Sequence, residues 1–217
     1  MDKSIWRKKI MENRIDKKIL IITVVICLMP MIYGLVNYGK LPENVAIHFD
    51  GNNQPDGWAP KIVAFMLPVP LALLQVFLCI LSDKKMENRE ANRKMIAISK
   101  FVIPIITVVT YMCTIDIALG KNIDIRKIVC IMIGVLFIVI GNYVPKTKQN
   151  IIVGVRTCLT IRDEKKWAKM NKLMGFAFVI GGLFIFISAF MAPIISVISI
   201  GVFIAVTIAI NFYASFF

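Results

Sequence analysis

One histidine, His48, stands two residues before Asp50 and eight before Asp56, in the polar stretch LPENVAIHFDGNNQPDGWAPK at residues 41–61. An imidazole beside two carboxylates has the chemistry to hold a divalent cation or to move a proton. The spacing is loose for metal ligation, and local hydrogen bonds would satisfy the ring equally well, so no metal site is assigned. A second candidate is Asp116, the one acidic residue inside an unbroken apolar run. A carboxylate there either snorkels to the headgroups or pairs with Lys121, or else senses ions or relays protons. Gln75 and Asn142 are the other polar side chains at depth, and interhelical hydrogen bonding is the reading for both. With a single histidine there is no nucleophile–base pair, no HExxH and no glycine-rich phosphate loop, so neither catalytic residues nor a cofactor are expected. Five cysteines without a CxxC pair support neither a disulfide framework nor a zinc site.

The elements that must position these residues are set by composition. Of 217 residues 58% are hydrophobic, and mean hydropathy is +0.76, more apolar surface than a soluble domain of this size can hide. Six unbroken apolar runs, 19–38, 62–81, 101–119, 128–144, 173–190 and 193–213, are each long enough to cross a hydrocarbon core of about 30 Å as a helix. Prolines 30, 68, 70 and 104 fall inside them and predict bends. The Gly181–Gly182 pair predicts a close helix contact.

The net charge of +13 would suggest nucleic acid in a soluble chain, but its distribution follows the membrane instead. Lys and Arg number seven in residues 1–18, two in 39–61, six in 82–100, three in 120–127 and eight in 145–172. The positive-inside rule puts the segments with seven, six and eight in the cytoplasm, with both termini inside and residues 39–61 outside. The expectation is an all-α membrane protein of six transmembrane helices, N-in and C-in. It carries one ordered extracellular loop and one ordered basic cytoplasmic loop. The organisation read from the runs is a basic N-terminus at 1–18, a two-helix module at 19–81 enclosing the loop 39–61, a cytoplasmic loop at 82–100, and a four-helix region at 101–213 with the loop 145–172.

In the outer loop, the alternation in NVAIHF predicts a short strand. Asp50-Gly51 and Pro55-Asp56-Gly57 predict turns with glycine at positive φ, and Trp58 and Lys61 are placed as interfacial anchors of the second helix. In the inner loop, Pro145 ends the fourth helix and Gly154 interrupts a short apolar stretch. Thr160 with Asp163 and Glu164 predicts a helix start. A helix over 163–172, with Trp167 among lysines, reads either as amphipathic and lying on the anionic inner leaflet or as part of an ordinary positive-inside loop.

Both loops together resemble the SdpI family of bacterial membrane proteins, named for an immunity protein against a secreted peptide toxin. The outer stretch resembles a module often found at the N-terminus of these proteins, with its Leu-Pro opening, His48-Phe49, the Pro55-Asp56-Gly57 turn and closing Lys61; Asp50 and Trp58 are further candidates for recognition or structure in the same loop. The inner stretch, GNYVPKTKQNIIVGVRTCLTIRDEKKW, resembles the family's cytoplasmic signature. Its matching positions are Gly141, Asn142, Tyr143, Lys146, Lys148, Asn150, Gly154, Arg156, Thr157, Thr160, Glu164 and Trp167. The chain departs from the pattern at Cys158-Leu159, where the family usually has Pro-Trp, and at Asn171, where a histidine is expected. The resemblance implies a non-enzymatic protein of the bacterial plasma membrane that confers resistance to a membrane-active peptide. Its implied partners are membrane lipid, the toxin outside and a transcriptional repressor inside, with no direct nucleic-acid contact. Arg156 is expected to hold the loop near Asn142 or to grip a partner's carboxylate. The rival reading is a small transporter or sensor using Asp116, Asn142 and the bent helices. Toxin identity and oligomeric state stay open.

Overall fold

The computed structural model describes residues 15–85 and 91–216; the basic N-terminus expected at 1–18 lies outside the described residues up to position 14. Six helical segments are long and apolar enough to cross a membrane: Lys17–Lys40, Lys61–Lys84, Arg93–Ala118, Ile125–Lys146, Glu164–Ser188 and Pro193–Phe216. The protein is a multi-pass membrane protein, all-helical among the described residues apart from one small hairpin.

The first span is two helices, α1 (Lys17–Leu28) and α2 (Pro30–Asn37), broken at Met29 because Pro30 has no N–H to continue the ladder. Asp16 caps α1, accepting from the Ile19 amide at 3.1 Å. A hairpin follows, β1 (Asn44–Phe49) against β2 (Pro55–Pro60). The second span repeats the proline break as α3 (Lys61–Met66) and α4 (Pro68–Lys85). The third span, α5 (Arg93–Ala118), keeps Pro104 inside one helix. Then come α6 (Ile125–Tyr143), a short α7 (Cys158–Arg162), α8 (Glu164–Ser188) and α9 (Pro193–Phe216).

The connection expected at 82–100 is shorter than the apolar runs imply, because α4 continues to Lys85 and α5 begins at Arg93. Packing divides the helices three and three: α1, α4 and α5 pack mutually, α8 packs on both α6 and α9, and the two groups meet along α5 and α6. The third span therefore sides with the first two, rather than with the four-helix region expected at 101–213.

Glycines set the closest contact, between α6 and α8. A Cβ on Gly134 would lie 2.7 Å from the Gly182 carbonyl oxygen, and one on Gly141 would lie 2.7 Å from that of Gly175. The partners are seven residues apart on each helix and pair in antiparallel order, so two backbones touch over two turns. In lipid, where apolar side chains gain little by leaving one neighbour for another, such close van der Waals approach is a main source of association. Gly181 faces the other way, against the Phe203 ring. Phe137, Phe178 and Phe203 then join α6, α8 and α9 with ring centroids 4.5–5.2 Å apart.

Candidate functional site

The hairpin is built by one turn and fixed at two points. Asp50 Oδ1 accepts from the amides of Asn52 at 2.9 Å and Gln54 at 2.8 Å, an Asx turn that takes the chain through Asn53 at φ 63°. The Asn53 side chain then reaches across to the connection after α5, accepting from the Ile125 amide at 2.9 Å and donating to the Ile123 carbonyl at 3.1 Å. At the base, Lys61 pairs with Glu43 at 2.7 Å.

Only the first expected turn forms, and its positive-φ residue is Asn53 rather than the expected Gly51. Pro55-Asp56-Gly57 opens β2 instead, and Gly57 is not among the positive-φ residues. Its lack of a side chain serves a different end: it sits opposite His48 at an irregular step of the register, where a Cβ would come within 2.8 Å of the His48 Cβ. His48 Nδ1 meets Asp56 Oδ1 at 2.5 Å on the exposed face, while Asp50 serves its own turn, so the three do not converge. Trp58 is exposed, Phe49 half-buried.

On the same side of the membrane, Asp116 accepts hydrogen bonds from the Tyr33 hydroxyl and, at 2.8 Å, from Lys121 Nζ. It thereby joins α2, α5 and the connection that follows. The Asp116 hydrogen bond holds the Lys121 ammonium pKa above its ordinary value. Gln75 makes an interhelical bond, donating to the Lys100 carbonyl at 2.7 Å. Asn142 does not: it is exposed at the end of α6 and, among the described residues, accepts only from Lys146, 3.3 Å away. The last turn of a helix reaches the surface, which the apolar run alone did not reveal.

The loop between α6 and α8 folds on its own side chains. Asn150 accepts from the Ile152 and Val153 amides at 2.9 and 2.7 Å and donates to the Lys148 carbonyl at 2.8 Å. Gly154, at φ 112°, passes against Asn171 and the Trp167 ring, where no side chain fits. Thr157 and Thr160 form a reciprocal capping box that starts α7, and Thr157 Oγ1 also donates to the Ala214 carbonyl of α9 at 3.0 Å. The helix start expected after Thr160 is thus two starts, with Asp163 capping α8.

Trp167 is buried, its indole N–H donating to the Thr147 carbonyl at 2.8 Å. A leaflet-lying helix over 163–172 is therefore corrected: these residues are the first turns of the spanning α8, and the indole closes the loop. Lys148 pairs with exposed Glu164 at 3.0 Å, and Lys146 lies over the Tyr143 ring. Arg156 is exposed and donates through Nη1 to the Ile151 carbonyl at 2.7 Å, so it braces the loop from within rather than toward Asn142.

Comparison with known proteins bears on both segments. Residues 146–214 match the model of the SdpI/YfhL protein family, and residues 25–71 match a domain of unknown function, DUF1648. Immunity protein SdpI of Bacillus subtilis (strain 168) is 24% identical over 196 residues, covering 90% of this chain and 93% of the relative. Residues 146–214 are thus similar to the SdpI/YfhL family, and the chain along most of its length to one immunity protein. No solved structure matches.

The SdpI match begins at Lys146 and takes in the self-bonded loop together with α8 and α9; the other match encloses the hairpin up to Trp58 and Lys61. At one departure from the family signature the structure shows how the change is accommodated. Asn171 is buried, donates to the Trp167 carbonyl at 2.9 Å and accepts from the Val155 amide at 2.9 Å. A neutral imidazole offers the same one donor and one acceptor, so asparagine preserves the pairing the expected histidine would make. Cys158, at the other departure, is exposed.

The most buried charges were not legible in the sequence. Lys100 Nζ lies 2.8 Å from both carboxylate oxygens of Asp83, and both side chains are shut from solvent. Asp83 also accepts the Asp16 amide at 2.9 Å, so the pair joins the start of α1 to α4 and α5. The one available signal was that Asp83 and Lys100 bracket the least apolar part of the chain's middle.

Proposed function

We propose that this is an immunity protein of the bacterial plasma membrane, protecting its cell from a secreted membrane-active peptide, and that it acts without enzymatic chemistry. The observation that carries the reading is the similarity to Immunity protein SdpI along nearly the whole of both chains. The positive-inside distribution supports an arrangement with both termini and the 145–172 loop in the cytoplasm and the hairpin outside. On that side the hairpin presents exposed Ile47 and Trp58 beside the His48–Asp56 pair, an apolar and charged surface suited to an amphipathic peptide. Because the hairpin is clamped at Asn53 and Lys61, it would meet the peptide as a preformed surface, with little ordering cost.

The cytoplasmic loop is our candidate for relaying toxin contact to a transcriptional repressor. Arg156 spends one nitrogen on Ile151, and among the described residues its other donors have no partner, which leaves a fork for a carboxylate. The rival path through Asp116, Asn142 and the bent helices lacks support, because each of the two side chains closes on a different local partner.

The test is expression in a toxin-sensitive strain, with survival and membrane potential followed after toxin addition. Protection by the wild type is the expected result; killing and depolarisation equal to the empty vector, with normal protein abundance, would refute immunity. Arg156→Ala separates the two roles. Intact protection with loss of the toxin-dependent transcriptional response supports relay, whereas protection that falls in proportion to abundance assigns Arg156 to the loop alone.

A further inference from the structure

A cavity of about 330 Å³ lies where α5 begins and α6 ends, lined by Asn92, Arg93, Lys94, Tyr143, Lys146 and Thr147 among others. Three of these are cations, and among the described residues no acidic one lines it. Among the described residues Arg93 and Lys94 make no ion pair or side-chain hydrogen bond, and Lys146 contacts only the neutral Asn142 and the Tyr143 ring. The acceptors nearby are already used: the Val144 carbonyl takes both the amide and the hydroxyl of Thr147, at 3.1 and 2.7 Å. Asn92 is held by Lys148, accepting from its amide at 2.8 Å and donating to its carbonyl at 3.2 Å, which fixes the start of α5 against the α6–α8 loop. The cavity is therefore a positively charged recess with rigid walls. The first amides of a 26-residue helix open toward the same end and add the positive pole of its dipole.

We propose that this recess binds the phosphate of an anionic phospholipid headgroup. The ligand class follows from charge: three cations, with no carboxylate among the described lining residues, are matched by a phosphate, which Arg and Lys recognise through several charge-assisted bonds. A lipid source follows from level, because Arg93 is the first and Lys146 the last residue of adjacent membrane spans, and that is the depth at which headgroup phosphates lie. The site joins the two three-helix groups, so an occupied recess would clamp α5 to α6 from the hairpin-distal side. This inference does not depend on the immunity reading.

The experiment is native mass spectrometry of the full chain released from nanodiscs, first with phosphatidylglycerol, then with phosphatidylethanolamine, then with phosphatidylethanolamine plus inorganic phosphate. One retained phosphatidylglycerol is expected in preference to phosphatidylethanolamine. Its occupancy should drop about fivefold for each cation removed in Arg93→Gln, Lys94→Gln and Lys146→Gln. Lys165→Gln with Lys172→Gln, exposed cations on α8 outside the recess, should leave it unchanged. Gel filtration of each variant establishes that it is folded, and Lys94→Gln, at an exposed position, keeps the test open should another variant fail to fold. No retained lipid, equal loss with the α8 pair, or inorganic phosphate binding in place of the lipid would each overturn the proposal.

Discussion

Replacing Lys100 by methionine nearly keeps the length of the side chain and removes its charge, taking from the buried Asp83 carboxylate the ammonium that lies against both its oxygens. In the intact protein the ammonium sits 2.8 Å from both carboxylate oxygens, and the Asp16 amide adds a third bond at 2.9 Å. The attraction of the pair and the cost of drying both ions nearly cancel, so the pair contributes little net stability. Deleting one member cancels nothing, and costs about 3–5 kcal/mol. Against a total stability of about 5–15 kcal/mol, that is enough to lower the folded fraction visibly. Asp83→Asn with Lys100→Met removes both charges while an amide oxygen can still accept from Asp16, and should stand within about 1 kcal/mol of the wild type. The assay is denaturant unfolding in detergent, followed by fluorescence-detected gel filtration, with the coupling taken from the double-mutant cycle. A Lys100→Met variant within about 0.5 kcal/mol of the wild type would refute the reasoning, since the Lys100 ammonium would then not be what compensates the burial of the carboxylate.

Three further outcomes are expected. Gly57→Val should lower hairpin integrity and toxin protection by forcing a Cβ into His48, at a cost of about 1–3 kcal/mol, whereas His48→Gln should retain protection; the reverse order in a survival assay would restore a special role for the imidazole. Gly134→Leu should separate α6 from α8 and reduce folded protein severely, while Gly201→Ala, with open space around it, should leave the amount unchanged; abundance by gel filtration decides. A membrane-impermeant thiol reagent should label Cys158, the exposed cysteine among the five, only after permeabilisation, and labelling in intact cells would invert the proposed topology.

What was legible depended on whether a signal is local. Runs of about 20 apolar residues report spanning helices directly, and NVAIHF carries its strand in its own alternation. The turn at 55–57 failed because Pro-Asp-Gly is equally compatible with an edge strand whose glycine makes room for a neighbour, and only the register with His48 distinguishes the two. The leaflet reading of Trp167 failed for a related reason. Lysines at 165, 166, 169 and 172 surround the indole in sequence, but its partner, the Thr147 carbonyl, lies twenty residues back across a loop.

The buried pair marks the boundary most clearly. Lys100 directly abuts the apolar run at 101–119, so a scan for charge-free segments makes it the edge of a helix, and the positive-inside rule then puts it in water. The structure instead has α5 beginning at Arg93, two turns earlier, which carries Lys100 down to the level of Asp83 and Gln75 on α4. A polar residue next to an apolar run is thus ambiguous between the end of a helix and a buried contact within it. What resolves the ambiguity is a partner of opposite charge on the adjacent helix, at a depth fixed by where both helices start. The same argument explains why the third span packs with the first two: it carries a charge complementary to Asp83, and separating α5 from α4 would break a bidentate ion pair in a dry interior.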